Sequence, residues 1–353
     1  HNPFYDNGIK LINGNGEKMD EKTISYIEDY IDGKLNLFGE EMTDVPFAVR
    51  EEIGCTVDYA AGRNRYVGYL ISLATYSYKN MRVGLDCANG SSWMIAKSVF
   101  DALGAKTYVI NAEPDGTNIN NHAGSTHIEV LQKFVKDNNL DVGFAYDGDA
   151  DRCLVVDEKG EALDGDQMML ICALELMKKK QLKDNVLVTT VMSNVGLHQA
   201  MKKYGGSCVK TAVGDRYVLE EMLKNGYSLG GEQSGHIIFS RFAKTGDGIL
   251  TAVQLLGALV QNNKRLSEMG AMMTKYPQIL LNVRVADKHG WEEKESIKNI
   301  IKKYQEELGD NGQILVRASG TEPLIRIMAE GPQQERLEEI ASAIAEVVNS
   351  ELG

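Results

Sequence analysis

Cationic residues are scarce in this chain: 38 Lys and Arg stand against 50 Asp and Glu, a formal net charge of −12. That deficit argues against nucleic acid as a partner, and an anionic ligand then needs positive charge gathered locally. Cysteine is also sparse. Cys55, Cys87, Cys153, Cys172 and Cys208 are odd in number and scattered, without metal-ligand spacing. They read as reduced, mostly buried thiols of a cytosolic protein, so a cytoplasmic location is expected. Long apolar runs are missing too; none approaches the roughly 20 residues of a membrane span, and the first residues do not read as a signal peptide. What remains, 43% hydrophobic and 25% charged over 353 residues, is globular in composition. It is too long for one ordinary core, so roughly two to four domains are expected.

The densest chemical signal is Asp147-Gly148-Asp149-Ala150-Asp151-Arg152. Three carboxylates at i, i+2 and i+4 repel one another unless a cation sits among them. The apolar stretches 141–146 and 153–157 read as strands on either side, which places the cluster at a strand's carboxyl end, where open α/β sheets put their ligands. Oxygen-only donors favour a hard cation such as Mg²⁺ with positions left for phosphate oxygens. Asp147, Asp149, Asp151 and Glu158 also fit positions of an EF-hand loop, but Arg152 stands where that loop needs glycine and the flanks are not helices. A second rival is a phosphatase with Asp147 as nucleophile and Gly246-Asp247-Gly248 as a metal loop.

Along the chain, residues 1–10 read as an active-site loop entering a strand at 9–12, followed by a helix at 21–31 and another at 64–75. Two βαβ-like units come next, with strands at 81–87, 106–110 and 141–146, then at 186–191, 207–210 and 227–229. Helices lie between these strands, and apolar helices at 167–178 and 249–260 flank the second unit. From 278 the pattern changes to strand, helix, strand, strand, helix, a small α+β arrangement.

Two further stretches carry polar groups in useful combinations. Arg317-Ala318-Ser319-Gly320-Thr321 joins a guanidinium, two hydroxyls and flexible backbone, a set that can cradle a phosphate dianion; Arg326 in the following apolar strand needs a partner. Gly230-Gly231-Glu232-Gln233-Ser234-Gly235-His236 puts a carboxylate, an amide and a hydroxyl on a glycine-hinged loop, which suits sugar hydroxyls. His236 is read as structural, as are His122, His127, His198 and His289.

Taken together, His1-Asn2-Pro3 with Asn7-Gly8-Ile9-Lys10, then 147–152, 231–236 and 317–323 resemble the phosphohexomutase superfamily across nearly the whole chain. Gln233, with Val213-Gly214-Asp215-Arg216-Tyr217-Val218, looks most like its bacterial glucosamine-phosphate branch, since relatives acting on mannose and glucose phosphates more often carry Met at that place. The resemblance implies a multidomain α/β protein: mixed-sheet α/β domains followed by a small C-terminal α+β domain. The expected divisions are a remnant of a first domain at 1–58, a metal-loop domain at 59–160, a sugar-loop domain at 161–275 and a phosphate-binding domain at 276–353.

The implied activity is an isomerase that interconverts glucosamine 6-phosphate and glucosamine 1-phosphate through a phosphoserine and a bisphosphate, as a step of amino-sugar nucleotide synthesis. By resemblance Asp147, Asp149 and Asp151 hold Mg²⁺. Gly214, Asp215, Arg216, Glu232 and Ser234 meet the hexosamine phosphate, while Arg317, Ser319, Gly320, Thr321 and Arg326 grip its non-reacting phosphate. His1 and Lys10 are the acid/base candidates, and Arg152 offsets developing charge. Glucosamine or glucose 1,6-bisphosphate would be the activator. The phosphoserine is expected directly before His1, with most of a first domain, about a hundred residues, ahead of it. A mutase for glucose or mannose phosphates, and an inert sugar-phosphate-binding fragment, are the alternatives; monomer and homodimer both stay open.

Overall fold

A computed structural model describes residues 2–6, 8–16, 18–35, 47–55, 57–319 and 322–353. His1, Gly320 and Thr321 of the expected site lie outside the described residues. Near the start, α1 (Glu21–Ile31) is capped by Asp20, whose carboxylate accepts the Thr23 N–H at 3.0 Å. The expected strand at 9–12 does not form: Ile12 makes only an isolated bridge to Lys18. After α2 (Ala60–Ser72) comes the first sheet.

That sheet contains β1 (Arg82–Asp86), β2 (Lys106–Ile110), β3 (Val142–Tyr146), β4 (Cys153–Asp157) and β5 (Ala162–Leu163), in the order β2-β1-β3-β4-β5. β1 runs parallel to β2 and β3, whereas β4 and β5 are antiparallel additions. Helices α3 (Ala96–Ala102) and α4 (Ile128–Asn138) cover it, and Leu131 and Val135, one turn apart, are the wholly buried residues of α4. Every residue of β3 is buried, as expected where helices pack on both faces.

After α5 (Gly165–Lys178), β6 (Val186–Thr190), α6 (Val195–Lys203), β7 (Ser207–Thr211), α7 (Asp215–Asn225), β8 (Leu229–Gly231) and β9 (Ile237–Phe239) form a second sheet, ordered β7-β6-β8-β9. Its directions repeat those of β2-β1-β3-β4. Then α8 (Gly248–Asn262) and α9 (Leu266–Gly270) follow. One apolar core runs through both sheets: Phe100 and Phe144 of the first unit, Leu170 and Ile171 of α5, and Leu255 and Leu256 of α8 belong to the same buried cluster. Tyr78, ahead of β1, donates to the Val253 carbonyl in α8 at 2.6 Å.

The last unit stands on a core of its own. It consists of β10 (Gln278–Arg284), α10 (Glu295–Leu308), β11 (Gln313–Ala318), β12 (Leu324–Glu330) and α11 (Gln334–Leu352), with an antiparallel sheet ordered β10-β12-β11. Among the described residues no helix is long and apolar enough to cross a membrane.

Candidate active site

The acidic turn between β3 and β4 is built under constraint. Ala150 has a left-handed φ of 60°, and its N–H closes onto the Asp147 carbonyl at 3.0 Å. A non-glycine residue there costs about 1–2 kcal/mol and persists where the surroundings over-determine it. One such surrounding is the turn after β1, where Ser91 N–H donates to the Gly148 carbonyl at 2.8 Å. A Cβ on Gly90 would lie 2.3 Å from that same oxygen. Gly90→Ala must therefore push the acidic turn away, at about 1–3 kcal/mol. The variant is expected to need about tenfold more Mg²⁺ for half-maximal activity, read from a metal titration of the rate; an unchanged titration would separate the turn from the metal requirement.

Carboxylate oxygens of Asp147, Asp149 and Asp151 come within 4.8 Å of one another, and no other acid, histidine or cysteine cluster of that kind is found among the described residues. Asp147 is fully buried; its Oδ1 accepts the Arg152 N–H at 3.1 Å, and its Oδ2 is buried without a hydrogen-bond partner. Burial, with Asp151 and Asp149 beside it, pushes its pKa up to about 6. An orphaned buried oxygen inside an all-oxygen donor set fits a hard divalent cation. Lys10 reaches in from the other side, paired with Asp149 and lying 3.0 Å from Asp151. Arg152 Nε is 4.0 Å from both Asp147 and Asp151.

His236 is the residue the sequence undervalued. It is almost fully buried, with Nδ1 3.6 Å from Asp151 and Nε2 3.7 Å from Asp215. The Gly246 N–H donates to Nε2 at 3.0 Å, which leaves Nδ1 to carry the ring proton, on the side of Asp151. Burial alone would raise the Asp151 pKa, yet His236 and Lys10 together hold it below the ordinary carboxylate range. Only the tertiary neighbours of His236 reveal this, because in sequence it is one histidine after a turn.

The loop 231–236 is fastened to the acidic turn. Cys153 N–H, just past that turn, donates to the Gly235 carbonyl at 3.1 Å. Gly235 has a φ of +90°, and a Cβ there would lie 2.1 Å from the Cys153 carbonyl oxygen. Glu232 accepts the Gly214 N–H at 3.1 Å, bringing the two expected substrate loops together, and Ser234 is exposed at the tip. Asp215 pairs with Lys18, and Arg216 with Glu21 and Glu220. Lys10, Lys18, Asp149, Asp151, Asp215 and Arg216 share the wall of one cleft of about 860 Å³.

The phosphate-loop candidates sit apart from this cleft in their contacts. Arg317 and Arg326 are directly paired across β11 and β12. Arg326 lies 3.3 Å from Glu322 and 3.5 Å from Ser319 Oγ, and its Nε is buried without a partner. Among the described residues no hydrogen bond or ion pair links either arginine to the acidic turn. Two guanidinium groups opposed on one face repel each other unless an anion lies between them.

The rival chemistries lose their residues. Glu158 accepts from Ser267 Oγ at 2.5 Å and is not in the acidic cluster, which removes the EF-hand. Asp247 caps α8 through the Leu250 N–H at 2.9 Å and accepts Tyr66 O–H at 2.6 Å, so both its oxygens are engaged away from a metal.

Family models described as phosphoglucomutase/phosphomannomutase match three stretches: alpha/beta/alpha domain II over 64–160, alpha/beta/alpha domain III over 164–276 and the C-terminal domain over 280–347. The chain is 55% identical to a phosphoglucosamine mutase of Lachnospira eligens, over 99% of this chain and 76% of that protein. It is 46% identical to the protein of that name from Bacillus subtilis, over 100% of this chain and 77% of that one. Among solved structures, Aspergillus fumigatus N-acetylphosphoglucosamine mutase in complex with GlcNAc-6P and magnesium superposes with a TM-score of 0.69 at 20% identity. That match covers 83% of this chain and 66% of the fungal one, just under two thirds of its length. At that identity the likeness concerns the fold.

Proposed function

Because the chain belongs to the phosphoglucomutase/phosphomannomutase family, we propose that it isomerises a hexosamine phosphate, exchanging glucosamine 6-phosphate and glucosamine 1-phosphate by phosphoryl transfer. The observation that carries this reading is the fastening of the loop 231–236 to the acidic turn by Cys153 and Gly235, with His236 beside Asp151. It brings the acidic turn, read as holding a cation, against the loop read as binding hydroxyls. Phosphoglucosamine mutase relatives at 44–55% identity over 99–100% of the chain support the amino sugar.

Asp147, Asp149 and Asp151 would hold Mg²⁺, which when bound offsets negative charge on the transferring phosphoryl group. Glu232 and Ser234, with Gly214, Asp215 and Arg216, orient the sugar, and Arg317, Ser319 and Arg326 take the distal phosphate. Lys10 moves a proton at the reacting hydroxyl while Arg152 lies against the charge that develops. The phosphoryl donor would be a phosphoserine, with glucosamine or glucose 1,6-bisphosphate restoring its phosphate. A cytoplasmic setting accords with these small anionic substrates.

The natural polypeptide, given Mg²⁺, a trace of bisphosphate and glucosamine 6-phosphate, is expected to form the 1-phosphate and to prefer it over the glucose and mannose analogues. Acid-quenched protein should carry hydroxylamine-stable phosphoserine. Release of inorganic phosphate alone, with a hydroxylamine-labile acyl phosphate, would instead mark a phosphatase acting through Asp147.

A further inference from the structure

Glu330 ends β12 and is fully buried, although nothing in the proposed chemistry uses it. Strand register sets Gln278 of β10 and Gln313 of β11 on either side of it. Both glutamine amides donate to its Oε2, Gln313 from 3.5 Å. Its other oxygen leaves the C-terminal unit altogether and accepts the N–H of Val195, the first residue of α6.

The neighbouring N–H, of Asn194, goes to Asp166 Oδ2 at 2.7 Å, and Asp166 is likewise fully buried. The head of α6, with its free N–H groups and partial positive charge, is thus shared by two carboxylates from different units. Asn194 also grips the chain where it crosses over: its Oδ1 accepts the Tyr276 N–H at 3.1 Å and its Nδ2 donates to the Tyr276 carbonyl at 2.9 Å. The two apolar cores do not merge at this crossing. The joint therefore rests on directional bonds: those of Glu330 and Asn194, together with Gln199 to Asp310 and Asn311, Lys210 to Gln313, Gln278 to the Met192 carbonyl and Gln313 to the Ser193 carbonyl. A buried carboxylate is tolerated only where its donors are all in place, so a change of angle between the units leaves Glu330 unsatisfied.

The same strand carries Arg326, four residues from Glu330 and on the same face by strand alternation. Any tilt at one end of β12 is carried to the other. We propose that Glu330 is a positioning residue: its carboxylate, seated on the head of α6, sets the angle at which the C-terminal unit presents Arg317 and Arg326. The assignment of a distal phosphate to those arginines rests on the proposed function; the joint itself does not.

Spin labels at Lys224→Cys in α7 and Lys302→Cys in α10 would report the angle, with the exposed Cys55 and the partly buried Cys208 replaced by serine in the natural polypeptide. Glu330→Ala is expected to broaden the interspin distance distribution about twofold. It should raise KM for the hexosamine phosphate about tenfold and leave Mg²⁺ binding at the acidic turn unchanged. Glu330→Gln, which keeps one acceptor oxygen, should restore part of the narrow distribution and decides the matter if the alanine variant does not fold. A distribution unaltered in the folded variants overturns the assignment. Broadening with an unaltered KM would leave the joint standing and count against the distal-phosphate role of the C-terminal unit.

Discussion

Asp149→Asn is expected to lower kcat/KM about a thousandfold, about 4 kcal/mol of transition-state stabilisation, while the protein stays folded. Asp149 suits the test because it is the least embedded of the three acids. Its side chain is 44% exposed and its ion-pair partner is Lys10, itself 56% exposed. An exposed pair of that kind contributes little to stability, so the loss of function is not a loss of fold. Asp147, by contrast, is buried and holds the turn through the Arg152 N–H, so replacing it would mix the two effects. The measurement is a pair of titrations: mutase rate against Mg²⁺, and thermal unfolding of the metal-free protein. Near-normal activity at limiting Mg²⁺ would remove the acidic turn from the chemistry.

Arg317→Ala is expected to raise KM and to lower kcat as well, with a combined loss of about 1.5–3 kcal/mol in kcat/KM. A phosphate gripped at the far end of the substrate also places the reacting end, so the binding energy appears in both constants. The two arginines opposed across β11 and β12 make the argument specific: with Arg317 gone, Arg326 loses its like-charged neighbour as well as its co-ligand. The unfolding temperature should therefore hold or rise slightly while the kinetics worsen. Arg317→Lys should recover only part of the loss, because an ammonium cannot make the two parallel contacts of a guanidinium. Unchanged constants in Arg317→Ala would reduce the loop to a structural turn.

Much of the fold is legible because its periodicities are strong. The apolar runs at 106–110, 153–157 and 186–191 needed little beyond length and flanking turns to be read as strands, and β2, β4 and β6 lie there. The acidic turn is legible for a different reason: three like charges in five residues have no purely structural explanation. Three features were hidden. Residues 9–12 look like a strand but find no ladder partner beyond the Ile12–Lys18 bridge, and pairing is not written in one segment. The strand expected at 227–229 lies at Leu229–Gly231. Propensity disfavours Gly230 and Gly231 in a strand, yet a Cβ on Gly230 would lie 2.7 Å from Met222 and 2.9 Å from Val218 of α7. Close helix packing won over propensity there. His236 acquires its neighbours from the segments carrying Asp151, Asp215 and Gly246, so no local pattern could single it out.

The undivided core beneath the first two sheets has a consequence for how this molecule tolerates damage. α8 belongs by sequence to the second unit, yet its leucines pack in one cluster with Phe100 and Phe144 of the first. A lesion in that helix, even one methylene too few, loosens the floor under the acidic turn and under the loop 231–236 at the same moment. Neither half of the cleft can drift under selection by itself. Inheritance is joint across the two sheets; in the C-terminal unit the separate apolar core can vary at its own pace, while the Glu330 contact with α6 cannot.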